Sequence, residues 1–305
     1  MENKGLNNQP VLVIGATGFL GMEICRQLIE KNKKVRGLIR STSDVAKVQA
    51  LEKMGVETVQ SDIKDASSLN SACQGVSAVI TTVSSTLSRQ EGDSIESVDK
   101  NGQKNVVDAA VAASVKRFIY ISFNKMPGEF PLQTAKRDVE KHIAESGLSY
   151  TILRPTFFMD VWLSPHLGFD YVNAKATIYG EGKNKISWIA IKDVAAFAVN
   201  ALDNEALINK TIELGGPQPL SPLEVITIFE DQGGKKFQVT NVPQEALAAQ
   251  KNSAKDPLSE SFAALMSCYA KGNEIDMKDV LTICNIQLTS VTDYAKSVVP
   301  EKVAQ

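Results

Sequence analysis

One lysine of the sequence stands on the side of a predicted helix that should be buried. The segment at residues 131–143, "PLQTAKRDVEKHI", predicts a helix whose apolar stripe includes Leu132, Val139 and Ile143, and Lys136 falls inside that stripe. A buried ammonium is costly unless a partner compensates for the lost water. Three interpretations follow for Lys136: contact with a cofactor hydroxyl or phosphate, an added role in proton transfer, or a structural lysine whose ammonium reaches solvent.

A glycine-rich turn near the start of the chain has the spacing of a phosphate-binding loop. The run "VLVIGATGFLG" places Gly15, Gly18 and Gly21 between a predicted strand and a predicted helix. In such a loop the first glycine permits a tight turn, the second lets backbone approach a pyrophosphate, and the third lets the helix pack on the strand. The alternative is a surface turn that happens to contain glycine. The strand and helix on either side favour dinucleotide binding.

The end of the second predicted strand indicates which dinucleotide would bind. An acidic residue there would hold the ribose 2′-hydroxyl of NAD, but the position is Arg40, followed by Ser41. A guanidinium suits a 2′-phosphate and leaves no acceptor for a free diol, which predicts NADP(H) rather than NAD. Asp62 ends the third strand, where it could accept from an adenine amino group or cap the next helix.

Alternating strands and helices must position these groups. The first half predicts strands at 10–16, 34–40, 56–62, 76–84, 115–122 and 148–155, with helices between them that include one long amphipathic helix over 95–113. This alternation predicts an α/β fold with a doubly wound parallel sheet, the Rossmann class.

The pattern changes after Pro155 and predicts a second, smaller α+β lobe. Two extended segments are predicted within 174–191, and helices within 192–202, 222–231, 244–251 and 259–270. We therefore predict a dinucleotide-binding domain over residues 1–160 and about 187–202, and a C-terminal substrate-binding lobe over 161–186 and 203–305.

Composition excludes several classes of function. A net charge of −2 gives no electrostatic basis for binding nucleic acid or an anionic membrane, and no apolar run is long enough for a signal peptide or a membrane span. The four cysteines are far apart in sequence and have no metal-ligand spacing, so we expect reduced thiols, no metal site and a cytoplasmic location.

Taken together, the motifs resemble one protein family. The segments "GATGFLG", "VRGLIRS", "SDIKDASSL", "RFIYIS", "AKRDVEKHIAESGLSYTILRP" and "SWIAIKDVAAFAV" occur in the order typical of the NmrA-like branch of the atypical short-chain dehydrogenases. The resemblance runs over roughly residues 11–219. It implies a Rossmann domain that binds NADP(H), joined to a substrate lobe. The family includes reductases of small molecules as well as redox-sensing regulators that do not catalyse a reaction.

The resemblance also implies a set of cofactor contacts. The pyrophosphate loop would comprise Gly15, Thr17, Gly18, Phe19, Leu20 and Gly21, and the 2′-phosphate would meet Arg40 and Ser41. Asp62 and Ile63 would flank the adenine, and Val83 and Ser84 the adjoining ribose. Lys136 would reach the nicotinamide ribose, and the nicotinamide would meet Pro155, Thr156, Phe157 and Phe158.

The sequence departs from the family of classical short-chain dehydrogenases at the catalytic tyrosine. Those enzymes carry Tyr-x-x-x-Lys, and here the tyrosine position is Leu132. Ser122 matches their serine, which is a poor acid without a partner. Lys136 and Ser122 are thus the candidate catalytic residues, but carbonyl reduction by the classical mechanism is not expected.

Two functions are compatible with these features. The first is an NADP(H)-dependent oxidoreductase for a quinone, an enone or a related conjugated molecule, because hydride transfer to such acceptors needs little acid assistance. The second is an NADP(H)-binding regulator or assembly factor without turnover. Aromatic side chains of the lobe, Tyr171, Tyr179 and Trp188, favour a flat and apolar ligand. His142 is expected on the surface rather than in catalysis, and the aromatic residues before His166 could form either a pocket wall or part of the core.

Overall fold

The computed structural model describes residues 9–86 and 90–299 of the 305-residue chain. Within them, the protein divides into two compact units. The first contains the residues up to Phe123 together with Leu132–Arg154 and Val194–Ile212, and the second contains Asn124–Pro131, Pro155–Asp193 and the residues from Glu213 onward.

The strands of the described residues form two sheets. They are β1 (Val11–Ile14), β2 (Val35–Ile39), β3 (Glu57–Gln60), β4 (Ala78–Thr81), β5 (Arg117–Ile121), β6 (Tyr150–Pro155), β7 (Phe169–Asp170), β8 (Lys175–Tyr179), β9 (Lys210–Leu214) and β10 (Gln238–Val242). Seven of them form one sheet in the order β3-β2-β1-β4-β5-β6-β9, and the other three form a sheet in the order β10-β8-β7.

The larger sheet has the doubly wound order that the alternation predicts. β1 is parallel to both β2 and β4, with Val11 opposite Val35 on one side and Ala78 on the other. The strand order therefore reverses at β1, which makes the carboxyl end of β1 the place where such folds bind ligands. The central strands β1, β4 and β5 are buried along their whole length. This burial explains their nearly continuous apolar sequences.

Helices cover this sheet and build most of the second unit. The described α-helices are α1 (Phe19–Glu30), α2 (Val45–Lys53), α3 (Ala66–Cys73), α4 (Gln103–Ala112), α5 (Pro131–Glu145), α6 (Met159–Trp162), α7 (Ile191–Asp203), α8 (Pro222–Gly233), α9 (Gln244–Asn252), α10 (Pro257–Lys271), α11 (Lys278–Cys284) and α12 (Val291–Val298). Their starts follow local chemistry. Asp44 and Asp65 cap α2 and α3, and Pro131 occupies the first position of α5.

The long helix predicted over 95–113 is not a single α-helix. Its first part, Ile95–Gly102, is a π-helix, and α4 continues from Gln103. At Gly102 the backbone lies so close to Ile63 that an added Cβ would be 2.8 Å from the Ile63 side chain. The wider π-helical turn changes which side chains face the core, and it buries the carboxylate of Asp99 completely.

In the second unit, the prediction of two extended segments over 174–191 is only half correct. β8 is regular and pairs in parallel with β10 and antiparallel with β7. Residues near 186–189 form only isolated bridges, among them one between Phe158 and Ile189. The Gly216 backbone packs closely against this segment, since an added Cβ there would lie 1.7 Å from the Trp188 carbonyl oxygen. The predicted helices α8, α9 and α10 are present, and α11 and α12 follow them.

Candidate functional site

The glycine loop connects β1 to α1 and has the geometry of an anion-binding turn. Gly15 has a φ of +87°, a left-handed conformation that favours glycine. Its carbonyl oxygen accepts from the Gly18 amide at 2.9 Å, which closes the turn. An added Cβ at Gly21 would lie 2.0 Å from that same oxygen, so the helix can pack this closely only with glycine there. Gly15 and Gly21 therefore serve as the sequence predicts.

The backbone at Gly18 is open on the outer side of the loop. A Cβ added at Gly18 would meet, among the described residues, only the Gly15 oxygen at 3.2 Å. Gly18 is the N-cap of α1 and provides no side-chain acceptor for the first amides of the helix. These amides and the positive end of the helix dipole are thus available to an anion. Beside them, Thr17 is half-buried, Phe19 is 60% exposed and Leu20 is buried in the core.

The predicted 2′-phosphate site contains two residues that sequence reasoning missed. Arg40 follows β2, and its Nη1 donates to Asp93 Oδ2 at 2.8 Å. Lys64 follows β3, and its Nζ donates to Asp93 Oδ1 at 2.6 Å. The Asp93 side chain is only 1% exposed, whereas Ser41 is exposed. Lys64 could have been identified because it lies in the turn that follows β3, the neighbour of β2. Asp93 has no sequence signal that links it to Arg40.

These two cations determine the ionisation of Asp93. Burial acts to raise the pKa of the Asp93 carboxyl, but hydrogen bonds from Lys64 and Arg40 outweigh it and lower that pKa below its usual value. The carboxylate is therefore firmly ionised at neutral pH. An anion held by an arginine and a lysine at the carboxyl ends of β2 and β3 is the arrangement that a phosphate would require.

The residues predicted around the adenosine lie in short turns of the first unit. Asp62 Oδ1 accepts from the Lys64 amide at 2.9 Å and does not cap the next helix, because Asp65 does so. That alternative for Asp62 was wrong, since the chain makes a further turn before α3 begins. Ile63 is buried. Contact of Asp62 and Ile63 with adenine stays a prediction.

The segment after β4 is fixed by a buried glutamine. The Val83 carbonyl oxygen accepts from Gln103 Nε2 at 2.8 Å, and Gln103 Oε1 accepts from Thr81 Oγ1 at 2.9 Å. The hydroxyl of Ser84 lies 3.2 Å from that of Thr86. Val83 and Ser84 are both half-buried, and their contact with the ribose stays a prediction.

Lys136 is buried as an ion pair. Its side chain is 5% exposed, and its Nζ lies 3.6 Å from Asp99 Oδ1. The other carboxylate oxygen of Asp99 accepts from the Ser85 amide at 3.0 Å and from the Ser85 hydroxyl at 2.6 Å. The interpretation of Lys136 as a lysine that reaches solvent was therefore wrong, because the π-helix brings a buried carboxylate to its ammonium.

An aromatic ring completes the surroundings of this ammonium. Lys136 Nζ lies 5.3 Å from the centre of the Tyr120 ring, a cation–π distance. Burial lowers the pKa of Lys136, although the Asp99 carboxylate acts in the opposite direction. The Tyr120 hydroxyl is buried without a hydrogen-bond partner in the described part of the chain, and burial raises its pKa well above the usual value. Leu132 stands where the classical short-chain dehydrogenases have their catalytic tyrosine. It is buried and cannot donate a proton.

Ser122 is connected to a different set of charges. Its hydroxyl accepts from Arg137 Nη1 at 3.3 Å, and Arg137 also donates to the Phe123 carbonyl oxygen at 2.6 Å. Glu140 accepts from Arg137 and from Arg154. The structure thus places Ser122 beside an arginine, and its catalytic role stays a prediction.

The residues predicted to meet the nicotinamide belong to the second unit. The Thr156 amide donates to the Leu214 carbonyl oxygen at 2.9 Å. The Thr156 hydroxyl donates to the Ser187 carbonyl oxygen. Phe157 accepts from the Ile189 amide at 3.1 Å, and both Pro155 and Phe157 are buried. Phe158 is the half-buried N-cap of α6. These contacts fix the backbone after β6, and its contact with a nicotinamide stays a prediction.

The aromatic side chains of the second unit mainly form its core. The Phe157 ring meets Trp162 edge-on at 4.8 Å, and Tyr269 stacks on Trp162 at 5.5 Å. Tyr179 and Trp188, which the sequence offered as substrate contacts, both pack against Tyr269 and are buried. Tyr171 lies beside Phe229, His166 is exposed, and His142 of the first unit pairs with Asp108.

Metal ligands, cysteines and membrane-spanning helices are described for residues 9–86 and 90–299. No group of three or more histidine, cysteine or acidic side chains there could hold a metal ion. Each of the four cysteines is free and buried, and burial raises the pKa of Cys25 to about 12. No helix in the same residues has the length and apolarity needed to cross a bilayer.

The sheet order and the glycine loop together define a Rossmann-type dinucleotide-binding protein. The NmrA-like family model matches residues 7–295, and the chain belongs to that family. It is 30% identical over 240 residues to the photosystem II assembly factor Ycf39 of a Synechocystis species, covering 78% of this chain and 72% of the relative. It is also 28% identical over 238 residues to an NAD(P)H azoreductase of Xenophilus azovorans, covering 77% and 78% respectively.

Solved structures show the same fold. The triphenylmethane reductase of a Citrobacter species, whose structure was determined in complex with NADP(H), superposes with a TM-score of 0.76 at 25% identity. The superposition covers 95% of this chain and all of the reductase. The fold and family expected from the sequence are therefore confirmed.

Proposed function

We propose that this protein binds NADP(H) and reduces a quinone, an enone or a related flat, conjugated small molecule. The observation that carries the proposal is the turn between β1 and α1, where Gly15, Gly18 and Gly21 leave helix amides open to a pyrophosphate. Arg40 supports the choice of the phosphorylated cofactor. One relative is an NAD(P)H azoreductase and one structural neighbour is a triphenylmethane reductase, and both support this proposal.

In this proposal each part of the site has a distinct task. The glycine loop binds the pyrophosphate, Arg40 and Ser41 bind the 2′-phosphate, and NADPH so bound supplies a hydride. Lys136 binds the nicotinamide ribose and can donate to the acceptor the proton that completes the reduction, because its lowered pKa makes the ammonium a stronger acid. With leucine at the tyrosine position, the acceptors that fit are those whose extended conjugation accommodates the added charge.

The test is NADPH oxidation, followed by absorbance, with a panel of quinones, enones and azo compounds. We expect saturable turnover with at least one acceptor, and a loss of turnover of about 100-fold or more in Lys136→Ala if the lysine transfers a proton. Lys141→Ala is the matched control, since Lys141 is on the same helix and 76% exposed. Tight NADPH binding without turnover on any acceptor would refute the reductase.

A second function has its own supporting observation. The Lys136 ammonium is paired with Asp99, and the helix position that normally supplies the proton donor is Leu132. A site that keeps the cofactor loop but lacks an acid suits an NADP(H)-responsive regulator or assembly factor, and one relative at 30% identity is an assembly factor. Binding of NADPH that changes the hydrodynamic behaviour of the protein or its association with other proteins, without turnover, would favour this function.

We also propose that the protein is cytoplasmic and that its ligands are small molecules rather than nucleic acids. Four free, buried cysteines are typical of a reducing compartment, and the net charge of −2 offers no attraction for a polyanion. Fractionation of the cells that make the protein tests the location directly.

A further inference from the structure

Asp93 occupies a position that a phosphate would be expected to fill. Its two carboxylate oxygens each bind a different cation, Arg40 through Oδ2 at 2.8 Å and Lys64 through Oδ1 at 2.6 Å. Both cations follow strands whose carboxyl ends lie side by side, since β2 and β3 are parallel neighbours. The Gln90 amide also donates to Asp93 Oδ2 at 3.2 Å, so three donors among the described residues meet this carboxylate.

The chemistry of this arrangement is that of anion recognition. A guanidinium and an ammonium that converge on one buried anion form charge-assisted hydrogen bonds, and a phosphate offers the same acceptors with a greater charge. A ribose 2′-hydroxyl offers only a neutral donor and acceptor, so it cannot compete with Asp93 for the two cations. Asp93, as well as Arg40, would therefore make the affinity of the site for NADPH differ from its affinity for NADH.

We propose that Asp93 is a specificity-determining residue of the cofactor site, which the 2′-phosphate must displace from Arg40 and Lys64, and that Lys64 is a second ligand of that phosphate. The inference rests on the proposed binding of NADP(H). The Asp93 carboxylate lowers the affinity for NADPH by competition and leaves the affinity for NADH nearly unaffected. Lys64 adds affinity for NADPH alone.

Substitutions of Asp93 test the competition in equilibrium titrations of the full chain with NADPH and NADH. Asp93→Asn keeps the shape of the side chain and removes its charge, so the Kd for NADPH is expected to fall about tenfold while that for NADH changes less than about twofold. Asp93→Glu restores the charge and is expected to return the Kd for NADPH towards its original value. Lys64→Gln is expected to raise the Kd for NADPH about tenfold and to leave NADH unaffected.

A matched control separates competition from a general effect of charge. Asp203 pairs with Lys33 at 2.9 Å in the same unit, but Lys33 precedes β2 whereas Arg40 follows it. Asp203→Asn thus removes one negative charge away from the carboxyl edge of the sheet, and both dissociation constants should be unchanged. Far-UV circular dichroism of each variant establishes that it is folded.

The outcomes distinguish this inference from the proposed function. If Asp93→Asn binds NADPH no more tightly than the original chain, or tightens NADH equally, Asp93 does not compete with a phosphate and the inference is overturned, while NADP(H) binding stands. If Lys64→Gln binds NADPH normally, Lys64 is not a ligand. If the original chain binds neither dinucleotide, the proposed function fails and this inference fails with it.

Discussion

The buried ion pair between Lys136 and Asp99 is expected to show strong energetic coupling. The two charged atoms are 3.6 Å apart, and their side chains are 5% and 0% exposed. With an effective dielectric constant of about 20, Coulomb's law gives an attraction of about 4 to 5 kcal/mol at that distance. Removing either partner leaves the other buried without its counter-charge, which typically costs about 3 to 5 kcal/mol of folding free energy.

A double-mutant cycle measures this coupling. Lys136→Met, Asp99→Asn and the combined variant are unfolded in urea, and the transition is followed by far-UV circular dichroism at neutral pH. Each single substitution should lower the free energy of unfolding by about 3 kcal/mol or more, and the combined variant should lose at least about 3 kcal/mol less than the sum of the two. The reason is that the combined variant leaves no unpaired buried charge.

An exposed pair of similar separation provides the control. Lys100 and Glu96 are 3.4 Å apart, but their side chains are 31% and 64% exposed. Lys100 also lies 3.6 Å from Asp138, which stays unchanged throughout the cycle. The cycle of Lys100→Met and Glu96→Gln should give a coupling below about 1 kcal/mol, because water screens the charges. A coupling for Lys136 and Asp99 as small as that of the exposed pair would refute the reasoning, since it would mean that Lys136 is not held as a charged partner of Asp99.

Two further predictions concern the cofactor loop and the anion site. Gly21→Ala should abolish binding of NADPH in titrations and lower the unfolding midpoint, because its Cβ would lie 2.0 Å from the Gly15 oxygen; normal binding would show that the turn can open. Burial acts to raise the pKa of Asp93, but hydrogen bonds from Lys64 and Arg40 hold it below its usual 3.8. The carboxylate therefore stabilises the folded protein fully above about pH 3.8, and this stabilisation is lost as the pH falls through the lowered pKa. The difference in urea midpoint between Asp93→Asn and the original chain should therefore be seen near about pH 6 and vanish towards about pH 2, and a difference that does not change with pH would contradict this assignment.

Local sequence patterns were sufficient to predict the sheet and the phosphate loop. Parallel strands buried on both faces require continuous apolar runs, and a turn that must reach a φ of +87° requires glycine, as at Gly15. Both constraints act within a few residues of chain. The doubly wound class of the sheet and the conformational roles of Gly15 and Gly21 could therefore be predicted from sequence.

The electrostatic partners of the site could not be predicted in the same way. Asp93 meets Arg40 across 53 residues of chain, and the partner of Lys136 depends on a π-helix that the apolar spacing over 95–113 does not distinguish from an α-helix. Charge pairs between distant segments leave no periodic signal, because a single side chain is enough to make each one.

The sequence by itself therefore determined the fold class, the family and the loop for a dinucleotide, since these depend on backbone conformation and the burial of apolar faces. Only the tertiary structure decided that Lys136 forms a buried ion pair with Asp99 and that Arg40 and Lys64 both bind Asp93. The physical reason is that the ionisation and availability of a charged group depend on its burial and on nearby charges, and those are set by how segments distant in sequence pack together.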